Sequence, residues 1–271
     1  LASRSGALQK DTGVEWEAME ASGVTPSLER CDTGEAVHVL RLVARASSLS
    51  GVWHAAGVLA DAVLPNQDAA GFARVFAPKA YGAWSLHTAS ATSAMDAVAL
   101  FSSVAGILGN PGQGNYAGAN TFLDSLAQYR RSQGLPGVSI AWGPWSEGGM
   151  AAELAAADQA RMKRQGFGAI DNAEGMALLE RALVQPGALS VPVALDTKRL
   201  EKTFERGGAG VPALYRGLIR AKSSASVSAS VLRQKLEALP EQERKDALIQ
   251  TLRDELAQVL GLSSGRDVNP G

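Results

Sequence analysis

The sequence predicts an α/β fold: a Rossmann-type doubly wound parallel sheet, then a linker, then a C-terminal helical segment. Two observations predict it. Across residues 14–195 amphipathic helical stretches alternate with short apolar runs, the pattern of repeated βα units. The runs are also apolar on successive positions, as in Val98-Ala99-Leu100-Phe101, which suits strands covered on both faces.

Taken in order, residues 1–6 read as the end of a strand, so further sequence is expected upstream of Leu1. Strands are then expected at 26–31, 51–56, 97–102, 137–142 and 189–195. The helices between them are expected at 14–22, 34–47, 69–89, 113–133 and 172–184. The pattern decays after Leu200 through Gly207-Gly208-Ala209-Gly210, and the Ser/Ala-rich stretch 223–230 reads as a linker. Beyond it Leu248, Leu252, Leu256 and Val259 recur at helical spacing, with Pro240 placed for a first turn and Gly261 for a stop.

Composition excludes several function classes. Twenty-six basic and 27 acidic residues are interspersed, leaving a formal net charge of -1 and no basic stripe for nucleic acid or an anionic membrane. Cys31 is the single cysteine, so no disulfide forms within the chain and a cytoplasmic setting fits. No apolar stretch approaches the roughly 18 residues of a membrane span.

Ligands of open α/β sheets sit beyond the carboxyl ends of the strands, so chemistry is sought at the strand-to-helix junctions. The densest is Leu100 through Gly106, followed by Gly112-Gln113-Gly114-Asn115-Tyr116-Ala117-Gly118-Ala119-Asn120. Ser103 falls at a strand end, and Tyr116 and Asn120, four apart, share one helix face. Delivering a hydride to a ketone builds negative charge on its oxygen, which calls for a positioned proton donor and a second hydrogen-bond donor. A tyrosine and a serine meet those needs. A phenol is a weak acid, with a free pKa of about 10. A nearby ammonium eases its proton release, and Lys79 on helix 69–89 is the candidate.

Several motifs coincide: Ser3-Arg4, Cys31-Asp32, His54-Ala55-Ala56-Gly57, Lys79, Phe101-Ser102-Ser103, Tyr116 to Asn120, and Trp142-Gly143-Pro144-Trp145. Together they resemble the ketoreductase domains of modular type I polyketide synthases, a branch of the short-chain dehydrogenase/reductase superfamily. The resemblance covers residues 1–220. In most of that superfamily a lysine follows the tyrosine by four residues. Here Asn120 holds that place and Lys79 lies upstream, as in the polyketide and fatty-acid synthase branch.

The resemblance implies Tyr116 as proton donor, Ser103 as the hydroxyl that orients the carbonyl, Lys79 as the group tuning Tyr116, and Asn120 as the holder of a relay water. It implies NADPH: Ser3 and Arg4 stand where an arginine accommodates the 2′-phosphate, though an arginine after a strand is also an ordinary solvated charge. Asp32 would accept from the adenine amino group, and Ala55, Ala56 and Gly57 would line the adenosine side. Gly143 and Pro144 would let backbone approach the nicotinamide. Trp145 reads equally as a loop-packing aromatic, and His54 as a packed ring. Residues 146–166, with Met150, resemble a lid over the substrate channel.

Stereocontrol is implied by three further positions. Leu59-Ala60-Asp61 keeps the last aspartate of a Leu-Asp-Asp motif of B-type domains, Leu108 replaces the tryptophan of A-type domains, and Gly118 replaces the proline of an epimerising subtype. A D-configured 3-hydroxyl without epimerisation is expected. The other reading of Asp61 is a cap or turn residue.

The Gly-rich turn after a first strand, whose amides bind pyrophosphate, is absent, as is the first helix. The domains expected are therefore a ketoreductase lacking its first βα unit over 1–220, a linker over 221–243 and the start of an acyl carrier domain over 244–271. The expected partners are a carrier domain bearing a phosphopantetheine-linked substrate and other synthase domains. A plain helical cap competes for the C-terminal segment. A non-catalytic scaffold domain and a freestanding carrier-protein reductase of fatty-acid synthesis compete for the whole.

Overall fold

The computed structural model describes residues 1–8, 12–46, 48–147, 162–163, 166–207, 211–219, 232–234 and 236–260. The chain divides into two compact units, Leu1–Trp142 with Ala173–Pro192, and Gly143–Asn172 with Val193–Gly271.

The first unit carries six strands, β1 (Ala2–Ser3), β2 (Glu29–Arg30), β3 (Gly51–His54), β4 (Ala97–Ser103), β5 (Val138–Trp142) and β6 (Leu189–Ser190). Every pairing among them is parallel, and the ladders form two pieces, β1-β2 and β3-β4-β5-β6. The helices are α1 (Gly13–Ala21), α2 (Ala36–Arg45), α3 (Ala69–Phe76), α4 (Gly82–Ser90), α5 (Ala105–Leu108), α6 (Gly114–Ser132) and α7 (Asn172–Val184). Helices alternating with parallel strands give the predicted α/β architecture.

The central strands read as expected. Val98, Ala99 and Leu100 of β4 and all five residues of β5 are buried. Leu100 and Val98 pack with Leu123, Leu126 and Ala127 of α6 and with Ala83 of α4. The α6 helix is thus clamped against β4 and β5 by apolar contact, with each fully buried leucine worth roughly 1.5–3 kcal/mol.

The outer strands are shorter than predicted, for a reason that lies in their partners. β2 meets only Ala2 and Ser3, in the register Ala2↔Glu29 and Ser3↔Arg30, so the ladder ends after two residues. β6 pairs only Leu189 and Ser190 with Ser139 and Ile140. Pro192, two positions on, has no N–H to give a ladder.

Helix 69–89 is helical throughout but not uniform. Asp68 caps α3, its Oδ1 accepting from the Gly71 amide at 2.7 Å. Between α3 and α4 lies a single π-turn, Ala77–Tyr81, with Pro78 inside it. Proline cannot donate to the preceding turn, and a widened turn accommodates the lost bond.

In the second unit Trp145 bridges to Ile170 and Phe167 to Leu195. Helix α8 (Thr197–Gly207) starts where Asp196 Oδ1 accepts from the Arg199 amide at 3.0 Å. Helix α9 (Glu241–Leu260) follows Pro240 as expected, and Leu248, Leu252 and Leu256 are exposed on it. Most of the expected linker, together with Gly261, lies outside the described residues. No described helix is long and apolar enough to cross a membrane.

Candidate active site

The site begins at the carboxyl end of β4, whose last residue is Ser103. Short α5 follows, then a turn in which Gly112 has φ +80°, a conformation most side chains resist. That turn delivers the chain into α6 with Tyr116 in its first turn, only 7% exposed. Asn120, fully buried, donates through Nδ2 to the Tyr116 carbonyl at 2.8 Å, while Ser102 Oγ donates to the Asn120 carbonyl at 3.2 Å. Burial pushes the Tyr116 phenol above its ordinary range; the side chains of Asn120 and Ser103, hydrogen-bonding to it, pull the other way, and the charge of Asp61 adds to the rise. Tyr116, Ser103 and Asn120 therefore converge on one point.

Lys79 reaches the same point from the π-turn. Its Nζ donates to the Phe101 carbonyl at 2.9 Å and stands 5.4 Å from the centroid of the Tyr116 ring. Burial lowers its pKa to about 8, with the charge of Asp124 opposing that fall. The backbone of Lys79 is tied as well: the His54 Nε2 lies 3.2 Å from its carbonyl. Burial, then the Lys79 charge, lowers the His54 pKa to about 4. His54 is thus neutral near pH 7, and because the carbonyl can only accept, its Nε2 carries the proton.

The loop before α3 is pinned to the loop before α6. Gln113 Nε2 donates to Asp61 Oδ2 at 2.8 Å, Asn115 Nδ2 to the Ala60 carbonyl at 2.7 Å, and the Ala62 amide to the Gly112 carbonyl at 2.9 Å. Asp61, itself exposed, is held beside the Tyr116 end of α6. Leu108 closes α5 half-buried, and Gly118 is exposed on α6, where a Cβ would meet the Phe76 ring at 3.4 Å.

The remaining predicted positions line the carboxyl ends of neighbouring strands. Ser3 ends β1, with exposed Arg4 next; Asp32 follows β2, its Oδ1 accepting from the Gly34 amide at 2.9 Å; Ala55, Ala56 and Gly57 follow β3. Within the second ladder, parallel pairing puts the end of β3 on the side on which Ser103 ends β4, and within the first it puts the ends of β1 and β2 on one side. Small residues after β3 at such a strand end leave room for a dinucleotide to approach the backbone. Gly143, Pro144 and Trp145 follow β5 and belong to the second unit, and Met150 lies outside the described residues. Among the described residues no group of three or more His, Cys, Asp and Glu is placed to hold a metal ion.

Comparison with known proteins decides the family. The KR domain model matches residues 1–147. The chain belongs to the ketoreductase (KR) domain family of polyketide synthases. It is 40% identical to polyketide synthase GfsB of Streptomyces halstedii over 99% of this chain and 5% of that protein. It is 36% identical to the phenolphthiocerol synthesis polyketide synthase Pks15/1 of Mycobacterium marinum, over the whole chain and 13% of that protein. The chain thus spans a small part of these relatives. Among solved structures, the first ketoreductase of the tylosin synthase superposes with TM-score 0.67 at 35% identity, covering 75% of this chain and 44% of that one. The ketoreductase from the first phoslactomycin module of Streptomyces sp. HK803 gives TM-score 0.73 at 29% identity, covering 83% and 51%. An A-type ketoreductase of a modular polyketide synthase gives TM-score 0.70 at 32% identity, covering 76% and 44%.

Sequence reasoning named Lys79, Ser103, Tyr116 and Asn120, which the structure brings close together, but not the groups around them. It took His54 for a packed ring without its bond to Lys79, and gave no part to Gln113, Asn115, Asp124 or Ser139. The signal for Gln113 was its place three residues before Tyr116 on the same strand-to-helix junction.

Proposed function

We propose that this ketoreductase takes a 3-oxoacyl thioester, carried by phosphopantetheine on an acyl carrier domain, to the 3-hydroxyacyl thioester with NADPH during polyketide chain extension. The observation that carries the reading is the buried Tyr116 set against Ser103 and Asn120, with Lys79 above its ring.

NADPH, when bound, supplies the hydride for the carbonyl carbon. Ser103 Oγ donates a hydrogen bond to the carbonyl oxygen and fixes its direction, and Tyr116 gives that oxygen its proton. Burial keeps the phenol protonated at neutral pH, while the bonds to Asn120 and Ser103 lessen the cost of releasing the proton. Asn120 Oδ1, a buried acceptor with no hydrogen-bond partner among the described residues, is suited to hold a relay water through which the proton is replaced. Lys79, charged below about pH 8, favours the phenolate at the moment of transfer.

Arg4 holds the 2′-phosphate and Asp32 the adenine, with Ala55, Ala56 and Gly57 on the adenosine side. Asp61, Leu108 and Gly118 direct a B-type outcome, a D-configured 3-hydroxyl. Residues 221–243 link, and residues 244–271 open a carrier domain. The setting is cytoplasmic.

The test is direct. The full-length protein carrying this chain is given NADPH and a 3-oxoacyl N-acetylcysteamine thioester. NADPH loss matched by 3-hydroxyacyl product in mass spectra is expected, and neither appearing contradicts the proposal.

A further inference from the structure

We infer that Asp124 is a positioning residue for this reductase: its carboxylate, tethered to β5 by Ser139, is the counter-charge that keeps the buried Lys79 side chain an ammonium beside Tyr116. The inference rests on the roles proposed for Lys79 and Tyr116.

Three observations carry it. First, Asp124 is the one carboxylate among the described buried residues, at 7% exposure, while Lys79 is 2% exposed. An acid buried without purpose is costly, so its partners matter. Second, it lies on the working stripe of α6: Tyr116, Asn120 and Asp124 are spaced by four, and all are buried. Third, the tethers of the two charges are neighbours. Ser139 Oγ donates to Asp124 Oδ1 at 2.6 Å with Ser139 fully buried, and Ser139 is the register partner of Leu100 on β4. The next residue, Phe101, offers the carbonyl that accepts from Lys79 Nζ at 2.9 Å. Adjacent strands lie about 4.8 Å apart. The carboxylate, on α6, and the ammonium, in the π-turn, are therefore tethered to neighbouring strands one residue out of step.

The surrounding groups leave the balancing to Asp124. From β3, His54 faces Lys79 as a neutral ring. From α6 come Tyr116, which burial keeps uncharged, and Asp124 itself. Asp61 is exposed and held by Gln113. Arg130, the other buried cation among the described residues, lies on α6 and donates to the Pro136 carbonyl and to His87. The hydroxyl of Ser139 donates to Asp124 and holds the carboxylate in place.

The experiment compares the pH dependence of ketone reduction in the full-length protein, its Asp124→Asn, Asp124→Glu and Ser139→Ala variants, with NADPH binding followed by fluorescence. The alkaline limb of kcat is expected to move about one pH unit lower in Asp124→Asn, to return toward the parent in Asp124→Glu, and to move less, in the same direction, in Ser139→Ala. A uniform loss of rate with an unshifted limb makes Asp124 a structural residue and overturns the inference. If Asp124→Asn no longer binds NADPH, Ser139→Ala decides by the same criterion. A parent without ketone reduction overturns the functional reading and the inference with it, whereas an active parent with unshifted variants overturns the inference alone.

Discussion

Lys79 Nζ stands 5.4 Å from the centre of the Tyr116 ring while donating to the Phe101 carbonyl at 2.9 Å, so strand β4 fixes the ammonium above the phenol. Burial holds this lysine to about pH 8. Reduction is therefore predicted to fall as pH rises through about 8, because only the protonated lysine favours phenolate formation. A kcat profile on a saturating thioester checks it. A limb near the usual lysine range, about 10.4, contradicts it.

The neutral His54 gives a stability prediction. Its pKa is lowered from 6.5 to about 4, so between those values the unfolded chain binds more protons than the folded one. Stability is then lost as pH falls through that window, by about 3 kcal/mol for a shift of this size. Urea midpoints measured from pH 7 to pH 4 should decline more steeply in the parent than in His54→Gln. Equal slopes would return His54 to an ordinary packed ring.

Arg4 follows β1 and is exposed, free to meet a ligand at the strand end. Arg4→Ala is predicted to raise the KM for NADPH at least tenfold, the loss of about 1.4 kcal/mol from one charge-assisted contact, and to leave NADH nearly unchanged. Equal losses for both cofactors would assign Arg4 a structural part.

Gln113 Nε2 donates to Asp61, the residue proposed for stereocontrol, at 2.8 Å. The parent is predicted to form the D-configured 3-hydroxyl. Both Asp61→Ala and Gln113→Ala should erode that preference in the same direction, since the second releases the carboxylate the first removes. Chiral chromatography of the reduced thioester reads the outcome. A predominantly L product from the parent removes Asp61 from stereocontrol.

The periodicity of the chain exposed β4, β5 and α6 because their burial is written into consecutive residues: Val98-Ala99-Leu100, and the Leu123, Leu126 and Ala127 face. It overstated strands 26–31 and 189–195 because a strand's length depends on its neighbour, which local pattern does not contain. Tyr116, Ser103 and Asn120 were legible from spacing along one junction. The aim of Lys79 was not, since it depends on a π-turn that one proline makes possible. Ser139 and Asp124 escaped notice for a related reason. A serine within an apolar run and an aspartate within a helix look unremarkable until β5 and α6 bring them to 2.6 Å.

The central claim is that Tyr116 protonates the ketone oxygen, and Tyr116→Phe in the full-length protein tests it most directly. The substitution removes one hydroxyl from a buried ring and leaves Arg4, Asp32 and the residues after β3 untouched. Single-turnover reduction of a 3-oxoacyl thioester should slow at least about 100-fold, the usual cost of losing a donor to a developing oxyanion. NADPH affinity should stay within about threefold of the parent. Reduction within threefold of the parent, at equal NADPH affinity, would contradict the account.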